Sequence, residues 1–215
     1  MKTRIVSMVF AVFLTTAMAQ ADTMDFYTGN DNQDLENVLL NQVNIDTYTV
    51  AGTLNQSGEV VYFQSDEAII ADPNGQARIE AVDGSYDYLK IFMADSTLGF
   101  NKIVFNIDAT NVSDEKDESK IKDGSVTLKG IDQDGNTYEE SFALTSAGQN
   151  FFTGIGLMNY YFKSVEITTT VGYIQVADVQ QVRIDPSAVI PEPATMLLFG
   201  TGLAGLAGFT RRKRS

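Results

Sequence analysis

Asp132-Gln133-Asp134-Gly135-Asn136, with Glu139 and Glu140 just beyond, sets oxygen-bearing side chains at alternate positions. A calcium loop begins in this way, with oxygen ligands at its first, third and fifth positions, so Asp132, Asp134 and Asn136 are weak calcium candidates. The rest of that pattern is missing: Thr137 stands where the loop needs glycine, and Ala143 where it needs a bidentate glutamate. Strand-like segments at 125–131 and 137–144 flank the cluster symmetrically, and Asp134-Gly135 suits a hairpin turn. A β-hairpin is the plainer reading of the same residues, and no cofactor is otherwise expected. Asp25, Asp31 and Asp34 form a second acid-rich patch, and with Asp185 late in the chain they would make a shared calcium site if the termini of a sandwich meet, which the sequence alone does not establish.

Catalysis has few groups to draw on. The chain contains no Cys, His or Trp, which removes thiolate metal sites, cysteine nucleophiles, imidazole relays and disulfides. Carboxylate pairs remain, and a glycosidase needs two of them flanking one bond. Between Asp22 and Ile190 there are 27 acidic and nine basic residues, a net of −18. With so many acids some pair always lies at a suitable separation, so the pattern singles out no catalytic pair and a non-enzyme is expected. The same charge repels phosphate backbones and argues against nucleic acid. Aromatic pairs invite a sugar-stacking reading: Tyr160-Tyr161-Phe162, Phe151-Phe152, and Tyr86 with Tyr88. Neighbours on a strand point to opposite faces, so at least one of each pair belongs to the core; core is the expectation for Phe151 and Phe152, and Tyr160 and Tyr161, in an apparent loop, are the ligand-binding candidates.

The elements that position these groups are mostly of period two. Segments 46–54, 59–64, 76–82, 88–93, 100–107, 125–131, 137–144, 151–152, 163–170 and 179–184 are rich in Val, Ile, Thr, Tyr and Phe and are separated by Gly/Asn/Asp clusters. This predicts an all-β fold, an antiparallel β-sandwich of jelly-roll type. In the first strand Tyr48, Val50 and Gly52 are expected on one face. One short N-terminal helix is also expected: Asp31 or Asn32 would cap it, and Leu35, Val38 and Leu39 would share a face on the way to Gln42. Asn111 to Asp123 is a mixed-charge run without an apolar face and reads as a solvated loop.

Both ends carry address signals. Lys2 and Arg4 precede an apolar run from Ile5 to Leu14 and small-residue cleavage sites after Ala19 or Ala21, the layout of a secretory signal peptide over 1–21. A β-sandwich domain over 22–188 would follow. The tail, 189–215, opens on Pro191-Glu192-Pro193 and continues as 16 uncharged residues from Ala194 to Phe209. As a helix that run is ~24 Å long against a hydrocarbon core of roughly 30 Å, just short of comfortable spanning unless Arg and Lys snorkel. Gly200, Ala204 and Gly208 form a small-residue face, and Arg211, Arg212, Lys213 and Arg214 form a basic stop signal that stays cytoplasmic. The two prolines hold the preceding segment extended, the form a processing enzyme can grip.

In that order these elements resemble the PEP-CTERM sorting signal of Gram-negative bacteria. The resemblance implies export through the inner membrane, transient retention there by a transmembrane helix, and recognition of Pro191, Glu192 and Pro193 by an exosortase. It also implies a secreted or cell-surface destination in a host that makes exopolysaccharide or biofilm matrix. The leading expectation is therefore a non-enzymatic surface or matrix protein. The alternatives are a carbohydrate-binding module or carboxylate-dependent carbohydrate-active enzyme, and an uncleaved tail-anchored periplasmic protein.

Overall fold

The computed structural model describes residues 23–40, 47–72, 78–85, 87–111, 124–145, 149–169 and 174–188. The expected signal peptide, the charged stretch from 112 onward and the sorting tail lie outside the described residues. Within them the period-two pattern becomes twelve strands: β1 (Met24–Thr28), β2 (Glu36–Leu39), β3 (Thr47–Leu54), β4 (Val60–Asp72), β5 (Arg78–Ala81), β6 (Tyr88–Met93), β7 (Leu98–Asn111), β8 (Gly124–Asp132), β9 (Thr137–Leu144), β10 (Asn150–Gly156), β11 (Phe162–Thr169) and β12 (Ile174–Ala188). Pairing is antiparallel, in the order β1-β10-β7-β12-β2-β3-β4-β6-β11-β8-β9, and β5 bridges β12 and β4. Phe162 of β11 also pairs with Phe100 of β7, so the sheet closes on itself as a barrel-like sandwich.

Alternation decides which side chains fill the interior. Val61 and Phe63 of β4, Leu89 and Ile91 of β6, Phe105 and Ile107 of β7, Val126 and Leu128 of β8, and Val165 and Ile167 of β11 are all buried. On β4, β6 and β8 their sequence neighbours point outward and are partly exposed, whereas on β7 Val104 and Asn106 are buried as well. Two strands change partner along their length. β4 pairs with β6 over Val61–Gln64 and with β5 over Ile69–Asp72. β12 passes from β5 to β2 between Gln180 and Arg183, where its register against β7 also shifts and Gln181 takes a φ of +55°. This is a bulge, which bends a strand at the cost of one residue's pairing.

The expected N-terminal helix does not form. Residues 36–39 are β2, hydrogen-bonded between Arg183 and Ile184 of β12 on one side and Leu54 and Thr53 of β3 on the other. Val38 and Leu40 alternate into the core, and the polar residues that a helix would leave in water have partners across the sheet. The Glu36 carboxylate accepts from the Gln56 and Ser57 amides at 2.9 and 2.7 Å, and Asn37 accepts from Arg183 Nε at 2.9 Å. Four residues with two flanking strands to pair with gain more from sheet than from an isolated short helix. Among the described residues there is no helix, and none long and apolar enough to cross a membrane. In β3, Val50 and Gly52 face the core as expected but Tyr48 is 61% exposed, because the register against β4 breaks between Thr47 and Thr49.

Candidate functional site

The outward residues of six consecutive strands line up in rows. One row runs Thr49–Gln64–Lys90–Glu166–Lys129–Glu139 across β3, β4, β6, β11, β8 and β9. Beside it runs Ala51–Tyr62–Phe92–Ser164, and on its other side Tyr88–Thr168–Thr127–Ser141. Six strands about 4.8 Å apart make the central row roughly 24 Å long.

The chemistry of this face is aromatic on one flank and charged along the centre. Tyr62 and Phe92, both half-buried at their bases, lie with ring centroids 5.6 Å apart and planes at 59°. The Lys90 ammonium stands 5.7 Å from the centre of the Phe92 ring. It also lies 3.6 Å from Glu166, whose other oxygen is 3.3 Å from the Lys129 ammonium. Tyr88 donates its hydroxyl to Glu166 as well; burial, the nearby Glu166 charge and that hydrogen bond push the phenol up to about 12. Such a surface offers a ring to the apolar face of a sugar, with ammonium donors and carboxylate and amide acceptors for its hydroxyls.

The sequence candidates fall elsewhere. Tyr160 and Tyr161 belong to the β10–β11 loop, where Met158 and Asn159 hold positive φ and the Tyr160 amide bonds back to Leu157. Tyr161 is only 5% exposed; its ring packs over Gly99, where any Cβ would collide with it, and its amide donates to Gln133 Oε1 at 2.9 Å. Tyr160 is half-exposed, so of this pair it holds the accessible ring. Phe152 is in the core, whereas Phe151 points to the other side and is half-buried. It lines an open cleft of about 420 Å³ together with Asn30, Gln149 and Asn150. The Asn150 amide there is committed to structure, accepting from Thr145 and donating to the carbonyls of Ile107 and Thr145.

Asp132, Asp134 and Asn136 form the β8–β9 hairpin turn, with Ile131 opposite Thr137 and Gly135 at a φ of +83°. Asp132 is fully buried, and its carboxylate accepts from the Asp134 and Asn136 amides at 2.9 and 2.8 Å and from Asn136 Nδ2 at 3.0 Å. The oxygens that calcium would need are thus turned onto the loop's own N–H groups. Asp132→Ala is expected to cost about 1–2 kcal/mol by freeing those donors, checked by urea unfolding; a loss near zero would mean the turn holds without them. In the N-terminal patch a lysine occupies the centre: Lys102 lies 2.7 Å from Asp31 and pairs in register with Asp185. That hydrogen bond and charge hold the Asp31 carboxyl below its usual range. Among the described residues no three acids gather as a metal site would require.

Tyr62 and Phe92 escaped the sequence reading because both sit inside apolar runs, Val60-Val61-Tyr62-Phe63 and Leu89–Met93, that resemble strands buried on both faces. The available signal was alternation: each is an even-numbered member of a strand whose odd positions, Val61 and Phe63 or Leu89, Ile91 and Met93, fill the core. Tyr88 was visible as an aromatic residue, without its neighbours.

The last described strand ends at Ala188, and residues 189–214 match the family described as PEP-CTERM protein-sorting motif. The chain carries a PEP-CTERM sorting tail. Every described strand of the chain lies before that motif. No curated protein matches the chain. Among solved structures it is similar to "BiXyn10A CBM1 APO", at 10% identity and a TM-score of 0.24, covering 77% of this chain and 99% of that one. It is similar also to a mutant of CBM29-2, from the family 29 carbohydrate-binding modules, at 8% identity and a TM-score of 0.25, covering 79% and 99%. Likeness this slight carries no inference for this chain, whose outer face stands on its own residues.

Proposed function

We propose that this is an exported, exosortase-processed protein of the cell surface or extracellular matrix, non-enzymatic, whose sandwich domain holds exopolysaccharide on the Tyr62–Phe92 face. The sorting motif at 189–214 carries the first part of that reading. Residues 1–21 act as signal peptide, 22–188 as the domain, and 194–209 as the helix that retains the protein in the inner membrane until Pro191-Glu192-Pro193 is cut. Because β12 ends at Ala188, such a cut removes none of the described strands. The aromatic and charged rows described above support the second part, since nothing in the core requires an outward Tyr62 or Phe92.

Intact mass of the protein from medium and membrane fractions of its host tests the sorting reading. The expected species begins near Gln20 or Asp22 and ends near Pro191, with any excess mass reporting a covalent attachment. A membrane-bound form that still holds Arg211, Arg212, Lys213 and Arg214 would make it a plain tail-anchored periplasmic protein instead.

A further inference from the structure

We infer that the Tyr62–Phe92 face takes a neutral polysaccharide of pyranose units and rejects acidic ones. This rests on the reading that the face binds carbohydrate, and adds the class of sugar. Its four central charges alternate in register, Lys90, Glu166, Lys129 and Glu139, and sum to zero. Both ammonium groups already close on one carboxylate, at 3.6 and 3.3 Å, and Glu166 is mostly shielded, with only 13% of its side chain exposed. A uronic acid carboxylate arriving here would have to compete with Glu166 for both lysines and leave a mostly buried carboxylate with only the Tyr88 hydroxyl, a costly exchange.

Recognition of carboxylates usually draws on arginine, whose planar fork grips both oxygens. The domain has two arginines, and both are engaged on other strands: Arg78 of β5 with Glu80 and Asp178, Arg183 of β12 with Asn37. The domain's net charge of −18 further opposes a polyanion at long range. A neutral sugar meets none of these penalties. Its hydroxyls are donor and acceptor at once, and the face supplies both kinds: lysine N–H groups, the Glu139 carboxylate and the Gln64 amide of the central row, and the Thr127 and Thr168 hydroxyls of the row beside it. The roughly 24 Å row is long enough for several pyranose rings laid across the strands.

The test is affinity electrophoresis of the full chain in mild detergent, in gels containing a neutral galactomannan, a neutral mixed-linkage glucan or polygalacturonate. Retardation is expected in at least one neutral gel, weakened about tenfold or more by Tyr62→Ala and by Phe92→Ala, and unchanged up to about 0.5 M salt, where charge attraction is screened beyond ~4 Å. No retardation is expected with polygalacturonate. Glu166→Gln, which removes the carboxylate that the two lysines share and leaves the row with a net positive charge, should introduce polygalacturonate binding that salt abolishes. Thermal melts of each variant exclude loss of fold as the cause. Polygalacturonate binding by the unaltered protein, lost in Tyr62→Ala, would overturn the sugar class while keeping the face. Binding indifferent to Tyr62→Ala and Phe92→Ala, or absent with all three polymers, would overturn the face itself.

Discussion

Phe162→Ala is expected to lower the unfolding free energy by about 3–5 kcal/mol, the usual cost of emptying a fully packed phenylalanine site. Phe162 is fully buried and opens β11 at the point where that strand meets β7 through Phe100 and β8 through Asp132. Its ring lies 5.5 Å from those of Phe100 and Phe26, which joins three parts of the sheet in one aromatic cluster. Gly130 is beneath it: a methyl there would come within 2.6 Å of the Phe162 ring, so the glycine is the space the ring occupies. The surrounding backbone belongs to paired strands and cannot collapse into the vacated volume. Phe162→Leu, which keeps most of the volume, should cost less than half as much. Urea unfolding of both variants checks this, and a loss below about 1 kcal/mol for the alanine variant would mean the closure between β7 and β11 does not depend on that ring.

Asp178→Asn should flatten the stability profile between about pH 4 and 6. Asp178 is 2% exposed on β12, and burial pushes its carboxyl up to about 6 despite Arg78, whose Nε and Nη2 lie 3.1 and 3.0 Å from Oδ2. Asp108, directly opposite on β7, and Glu80 on β5 push in the same direction as burial. The second oxygen, Oδ1, is buried without a hydrogen-bond partner. A carboxyl raised in the folded state contributes stability that is fully present below its unfolded value near 4 and is lost as pH rises through about 6. The unaltered protein should therefore gain on the order of 2 kcal/mol from this group on acidification from pH 7 to pH 4. Burial also raises Glu67, so a residual slope of the same sign remains in the variant. Asp31 and Asp95 have lowered values and act below pH 4, outside the window. The quantity to measure is the difference between thermal or urea stability of the two proteins across pH 4–7; parallel curves would show that Asp178 keeps its charge throughout. At pH 7 the asparagine variant should be at least as stable, because Arg78 retains Glu80 at 2.7 Å.

Strand positions were legible because a strand's inner and outer sides are written in adjacent residues. Thr137 to Leu144 and Tyr88 to Met93 could be placed from their own letters, and the structure puts both where alternation does. The hairpin at Asp134-Gly135 was legible for a similar reason, since turn, glycine and flanking strands lie within twenty residues of chain. Glu36–Leu39 was misread for the opposite reason. Its local pattern suits a short helix, and what makes it a strand is contact with β12, some 146 residues later, through Arg183 and Asn37.

The same distinction separates the two halves of the functional reading. The tail is a linear pattern: two prolines around a glutamate, an uncharged span and a basic end are recognisable from their order in the sequence alone, without any fold. The acidic balance and the absence of Cys and His are likewise properties of composition alone. The proposed binding face is of another kind. Gln64, Lys90, Glu166, Lys129 and Glu139 come from five strands whose outermost members, Gln64 and Glu166, are 102 positions apart in sequence, and they meet only because β6 and β8 both pair with β11. Charge alternation in that row, and the placing of Tyr62 beside Phe92, are consequences of register between distant strands. Register is set by core packing over the whole sheet, so no local stretch of residues encodes it.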